Sequence, residues 1–137
     1  MSRCIIDASM AAAWCLPDEG DAALVWLDGV ARDGAIVPAL WPFEINNVLL
    51  MAERRKRIGE SDAVNARVLL GRLPIVIEPA PTVATVAETL QLARRFSLSF
   101  YDASYLESAL RNRLPLGSFD KALVQAAATC GVRVTAM

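Results

Sequence analysis

The sequence predicts an α/β fold: a three-layer α/β/α sandwich built on a central, mostly parallel sheet of about five short strands. Three observations predict it. Short strand-like apolar runs alternate with longer helical ones along the whole chain, and no internal repeat or low-complexity stretch interrupts them. The strand candidates are apolar throughout, as parallel strands covered on both faces should be. The 137 residues match one domain of the commonest size, and the connections are short enough to leave right-handed crossovers little freedom. The expectation is one domain over 1–137.

The elements follow in order. Cys4 to Ile6 reads as a buried strand that delivers Asp7 to its carboxyl end, with a helical run from Met10 to Leu16 directly after. Asp21 to Arg32 places Ala22, Val25, Trp26, Gly29 and Val30 at helical spacing, with Gly34 as its stop. Ala35 to Val37 is the second strand. Pro42 suits the first turn of a helix running through Asn47, Leu50 and Arg54 and ending before Gly59. Ser61 to Leu73 follows a tight turn, so these two helices form an antiparallel hairpin. Ile75 to Ile77 is the third strand, and Pro79 and Pro81 break the chain before a helix over Thr82 to Phe96 with Val83, Val86, Leu90 and Ala93 on one face. Phe100 to Arg113 and Lys121 to Cys130 are the last helices, with strands expected at Leu114 to Gly117 and Val132 to Val134.

Composition removes several chemistries. The chain has no histidine, which excludes Ser-His and Cys-His catalysis and His-ligated zinc. Cys4, Cys15 and Cys130 are odd in number, far apart and set among apolar neighbours, and read as plain buried thiols. Ser9 and Ser104 have no base partner and are poor nucleophiles. The net charge of −1, from 14 basic and 15 acidic residues, gives no global field for a polyanion, so nucleic-acid binding would have to be local. A 55% apolar chain with mean hydropathy +0.36 points to an oligomer or a complex. With no span-length apolar stretch and no signal pattern at the N-terminus, no membrane partner is expected and the location is cytoplasmic.

Four acids remain: Asp7, Glu44, Asp102 and Asp120. Each has an ordinary explanation. Asp7 and Asp120 stand where they would cap helices, Glu44 lies in the first turn after Pro42, and Ser99 to Asp102 has capping-box spacing. Their joint placement is harder to explain that way. Asp7 and Asp120 follow strands, Glu44 and Asp102 open helices, and βα topology brings such termini to the ligand-binding edge of the sheet. Carboxylates gathered there repel, and a hard divalent cation relieves the repulsion. Mg²⁺ or Mn²⁺ suits an all-oxygen donor set, and hydroxide generated on such an ion hydrolyses phosphodiesters without a histidine base.

The motifs Ile5-Ile-Asp7-Ala-Ser9, Pro42-Phe-Glu44-Ile-Asn-Asn47, Leu98-Ser-Phe-Tyr-Asp102-Ala-Ser-Tyr105 and Gly117-Ser-Phe-Asp120 resemble the PIN-domain family, in particular its VapC-type toxins. The resemblance extends from Cys4 to the last strand. It implies that Asp7, Glu44, Asp102 and Asp120 hold Mg²⁺ or Mn²⁺, and that the activity is endoribonuclease cleavage leaving a 5′ phosphate. By the same resemblance Ser9, Asn47 and Ser118 support these acids, Ser118 standing where the family often has threonine. The implied partners are RNA, a second copy of the chain, and a small VapB-like antitoxin that lies across the groove.

Glu53 to Arg57 holds the one dense basic run, Arg54, Arg55, Lys56 and Arg57. It either contacts RNA phosphates or is the solvated C-terminal end of a helix, with Arg94, Arg95 and Arg111 as the alternative RNA path. Trp26 is expected in the core, while Trp41 and Phe43 are expected more open, at a groove or dimer contact. Two other classes fit less well. A receiver-type phosphoacceptor needs adjacent acids near Asp7 and a lysine on the last strand, and a haloacid-dehalogenase-type phosphatase needs an aspartate where Ser9 stands; the sequence has neither. A non-catalytic binding domain of the same fold would not be expected to keep the acid quartet intact.

Overall fold

Four parallel strands and seven helices alternate through the residues that the computed structural model describes, 3–16 and 20–134. They are β1 (Cys4–Ile6), α1 (Ala8–Cys15), α2 (Asp21–Asp33), β2 (Ala35–Val37), α3 (Trp41–Arg54), α4 (Glu60–Arg72), β3 (Ile75–Ile77), α5 (Val83–Phe96), α6 (Phe100–Asn112), β4 (Leu116–Gly117) and α7 (Lys121–Thr129). The sheet order is β3-β2-β1-β4, with Ile5 opposite Ile36 on one side and Leu116 on the other. Central β1 and β2 are buried at every position because helices cover both faces of the sheet. Helix α1 packs with α2, α3 and α4, and α6 packs with α5, α7 and the strands β1 and β4. The core side chains Ile5, Ile6, Met10, Val37, Leu49, Leu106, Leu116 and Leu123 are fully buried, each contributing roughly 1.5–3 kcal/mol of transfer free energy.

Caps set the helix boundaries. Asp7, Thr82, Ser99 and Asp120 each accept a hydrogen bond from a backbone N–H in the first turn of the helix that follows, an interaction worth about 1 kcal/mol. Gly34 ends α2 at φ +89°, and a Cβ there would meet the Pro74 carbonyl oxygen at 2.9 Å. In β4, a Cβ on Gly117 would come within 2.7 Å of the Trp26 indole, so the absence of a side chain lets α2 lie directly on the strand that leads to Ser118. The α3–α4 hairpin is closed by Arg67, whose Nε donates to Asn46 Oδ1 at 2.7 Å.

Three expectations change. The fifth strand is only a single parallel bridge, Leu116 to Val134, because β4 is itself two residues long and offers little to pair with. Strand β3 is not covered on both faces: it is the sheet edge, and Val76 and Ile77 are about half exposed. Trp41 is buried at the start of α3, while its near neighbour Phe43 is 80% exposed, so of the two only Phe43 is open. Trp41 Nε1 has no partner among the described residues, and the packing around it gives no reason. The three cysteines are free, and burial pushes the Cys4 thiol up to about 12 and the Cys15 thiol up to about 11, which keeps both protonated and unreactive. No helix among the described residues is long and apolar enough to cross a membrane.

Candidate active site

Asp7 leaves the carboxyl end of β1, and the Gly117 carbonyl of the neighbouring strand accepts its N–H at 3.2 Å. Its carboxylate is almost fully buried and bound on both oxygens. Oδ1 accepts from Ser9 Oγ at 2.7 Å and from Met10 N at 3.0 Å, and Oδ2 accepts from Ser118 Oγ at 2.6 Å. The same serines tie in the fourth acid's loop: Ser9 Oγ accepts from Phe119 N, and Ser118 Oγ from Asp120 N, both at 3.0 Å. Two short hydroxyl side chains thus join the end of β1 to the turn after β4.

Glu44 sits in the first turn of α3, half-buried, and its Oε1 accepts from the Tyr105 hydroxyl at 2.5 Å. Asp102 lies one turn before Tyr105 on α6, with its N–H donated to Ser99 Oγ at 3.0 Å. Asp120 caps α7 through Leu123 N at 3.1 Å. Asp7 and Asp120 do cap helices, the box at α6 shows its Ser99 half, and Glu44 lies in a first turn without capping it, yet the four acids still lie near enough to one another to interact.

The electrostatics record that gathering. Burial raises the Asp7 carboxyl above its ordinary range; hydrogen bonds from Ser118, Ser9 and Met10 oppose the rise, and Asp102 adds to it. Glu44 is raised by burial, eased by Tyr105, and raised again by Asp102 and Asp7. Asp102 is raised by burial and by Asp120. The Tyr105 phenol, buried against Glu44, Asp7 and Asp102, is held in its neutral donor form. Among the described residues no cation pairs with any of these acids.

The donor chemistry fits Mg²⁺ or Mn²⁺: hard carboxylate oxygens, mutual repulsion, and no thiolate or imidazole among them. As the side chains lie, no three acids among the described residues converge tightly enough to hold an ion.

Other expected residues lie apart. Asn47 is exposed one turn past Glu44 on α3 and makes no side-chain hydrogen bond to the acids. Arg54, Arg55, Lys56 and Arg57 are exposed at the far end of α3, about 15 Å along its axis from Glu44. Arg111, part of the alternative basic path, is committed elsewhere: it donates to Glu78 Oε2 at 2.7 Å and to Glu107 Oε2 at 2.8 Å. This second acid cluster is not evident from the sequence, since Glu78 and Arg111 are far apart in the chain. Tyr105 carries a readable signal, because spacing of three from Asp102 places both on one helix face.

A family model described as PIN domain matches residues 4–128. No curated protein matches the chain. Among solved structures, PAE2754 from Pyrobaculum aerophilum is similar at 25% identity and TM-score 0.71, over 98% of this chain and 84% of that one. A toxin–antitoxin complex from Klebsiella pneumoniae is similar at 15% identity and TM-score 0.61, over 85% and 86%. VapC20 of Mycobacterium tuberculosis, described as a sarcin-ricin loop cleaving toxin, is similar at 17% identity and TM-score 0.63, over 89% and 93%.

Proposed function

The chain belongs to the PIN-domain family, and from that premise we propose that it is a metal-dependent endoribonuclease, the toxin of a type II toxin–antitoxin module. The observation that carries the reading is the group of four acids at the carboxyl edge of the sheet, three of them raised in pKa and none paired with a cation. Asp7, Glu44, Asp102 and Asp120 would hold Mg²⁺ or Mn²⁺. When bound, such an ion supplies hydroxide from water and stabilises charge on the scissile phosphate. The chain's own work is positioning: Ser9 and Ser118 fix the Asp7 carboxylate, and the N–H groups of Phe119 and Asp120 fix those hydroxyls in turn. Asn47, exposed one turn along α3 from Glu44, is the remaining residue proposed to support the acids.

The test is cleavage of defined RNAs with Mg²⁺, with Mn²⁺ and with EDTA, for the parent protein and Asp7→Asn. The expected result is metal-dependent cutting that the substitution abolishes. Full activity in EDTA, or in Asp7→Asn, sinks the reading.

The partner reading rests on the toxin–antitoxin neighbour and on exposed apolar side chains, Phe43 at 80%, Tyr101 at 61% and Val83 at 89%. A second copy and a small VapB-like antitoxin are the proposed occupants of these surfaces. The antitoxin would place a basic side chain among the acids, where it competes with metal. Co-purification that yields only free chain, with no neighbouring small protein able to suppress toxicity, removes this part.

A further inference from the structure

We propose that Tyr105 makes Glu44 a one-oxygen ligand and thereby biases the acid site toward small octahedral cations and away from Ca²⁺. The inference rests on the metal reading above and adds a residue that chooses among metals.

Tyr105 is 1% exposed, its ring fixed in the core between α6 and the sheet. Its hydroxyl reaches across to a different element and donates to Glu44 Oε1 at 2.5 Å, 61 residues away in sequence. Glu44 is otherwise a long, half-buried side chain with free torsions, and this is the contact that sets where its carboxylate points. The phenol covers one oxygen, and no hydrogen bond from a described residue engages the other, Oε2. Asp7 differs, since both of its oxygens are engaged, Oδ1 by two hydrogen bonds and Oδ2 by one. An entering ion therefore meets a Glu44 carboxylate with one oxygen engaged and the other open.

Cations differ in what they accept. Mg²⁺ and Mn²⁺ take near-octahedral oxygen sets with single-oxygen carboxylates, whereas Ca²⁺ takes more and longer bonds and readily chelates a carboxylate through both oxygens. Two-oxygen chelation by Glu44 would set the ion in competition with the buried Tyr105 phenol for Oε1 and weaken that hydrogen bond, a penalty that falls chiefly on Ca²⁺. The bland alternative is that Glu44 merely satisfies a buried hydroxyl. In that case losing the hydroxyl weakens every cation equally.

The test is calorimetric titration of RNA-free protein with Mn²⁺ and with Ca²⁺, comparing the parent chain with Tyr105→Phe, which keeps the ring. Mn²⁺ affinity is expected to fall on the order of tenfold, as for loss of other hydrogen bonds to metal ligands, and Ca²⁺ affinity much less, so that the ratio of the two dissociation constants narrows. In a Glu44→Gln background Tyr105→Phe should change neither affinity, because it acts through that carboxylate. Should Tyr105→Phe not fold, Glu44→Asp draws the carboxylate back from an intact Tyr105 and is expected to narrow the ratio likewise. An unchanged ratio in the folded variant, or an effect of Tyr105→Phe that persists without the Glu44 carboxylate, overturns the inference while leaving the metal site standing. A parent protein that binds neither Mn²⁺ nor Mg²⁺ overturns the metal reading and this inference with it.

Discussion

Helix α6 carries carboxylates into two clusters, and the protein treats them in opposite ways. Near its start, Asp102 joins Asp7, Glu44 and Asp120, and the first three are raised in pKa. Further along, Glu107 joins Glu78 from the end of β3, and between them stands Arg111, which bonds Glu78 at 2.7 Å and Glu107 at 2.8 Å. Burial pushes Glu78 up, but Arg111, Ser108 and Asn112 together draw it below its ordinary value. The second cluster has its own cation between the two acids, and it fastens α6 to the end of β3. The first is stocked with hydroxyl donors but no cation, which is the arrangement expected of a site completed from outside.

The largest effect expected from this contrast is at Asp102. Asp102→Asn should lower metal-dependent RNA cleavage by at least about 10²-fold, on the scale of losing one preorganised electrostatic group. The same substitution should raise the melting temperature of the metal-free protein, since it removes a repelled charge. A variant that keeps its activity, or one that melts lower without metal, breaks the comparison.

Metal binding should show next. For Asp7, Glu44 and Asp102 the folded pKa lies above the unfolded one, so the metal-free native state holds protons that the unfolded chain releases. Their contribution to stability is therefore lost as pH rises from the ordinary carboxylate range through the raised values. Mn²⁺ bound at the proposed site should reverse that loss, by about 2.7 kcal/mol when its concentration is 100 times its dissociation constant. Thermal melts should show a larger Mn²⁺ effect at neutral pH than near pH 5, where protons compete for the same oxygens. A metal effect of equal size at both pH values would show that the ion binds somewhere other than these acids.

Arg111→Met asks whether the second cluster resembles the first once its cation is removed. Two largely buried carboxylates would lose their partner, with an expected cost of about 2 kcal/mol in urea unfolding. That is less than the 3–5 kcal/mol of a fully buried pair, because the Arg111 side chain is 43% exposed. Glu78, lowered in the native state, contributes stability that is present above its unfolded pKa and lost as pH falls through the folded one. The variant should lack that acid-side loss. An unchanged urea midpoint would mean that solvent already screens the cluster.

The contrast also explains what was legible in the sequence. Asp7, Ser99 and Asp120 are local caps, so the same residues that signal helix starts also bring the acids to the sheet edge, and strand ends and site could be read together. The spacing of Tyr105 from Asp102 puts it on the site's helix face, but its partner Glu44, like the Glu78–Arg111 pairing, joins segments tens of residues apart, and residue type gives no hint of who meets whom. The exposure of β3 was hidden for a related reason: Ile75 to Ile77 is as apolar as a central strand, and only the strand order puts it at the edge. Trp41 lies on the buried stripe of α3 with Ile45 and Leu49, and Phe43 stands two positions off it, so helical spacing rather than residue type separates the two aromatics.

The smallest effect concerns the third concentration of charge. Arg54, Arg55, Lys56 and Arg57 make no ion pair among the described residues, and Lys56 takes a left-handed backbone at φ +60°, which turns the chain as α3 ends. If charge left unpaired by the fold marks a place for something from outside, as at the acids, this run should meet RNA phosphates. Its position tempers that expectation: about 15 Å of helix separates it from Glu44, so it can touch only nucleotides well removed from the cut. Replacing Arg54 and Arg55 with Ala should weaken binding of single-stranded RNA uniformly across sequences and flatten the log-affinity against log-salt slope by about 0.7 for each lost contact. Metal affinity should stay as in the parent protein, because the run lies at the far end of α3 from Glu44. Binding curves that keep the parent's salt slope would return the run to a solvated helix end, where cations already favour the dipole. The RNA path would then have to be sought near Arg94 and Arg95, in the last turn of α5, since Arg111 is held by its two glutamates.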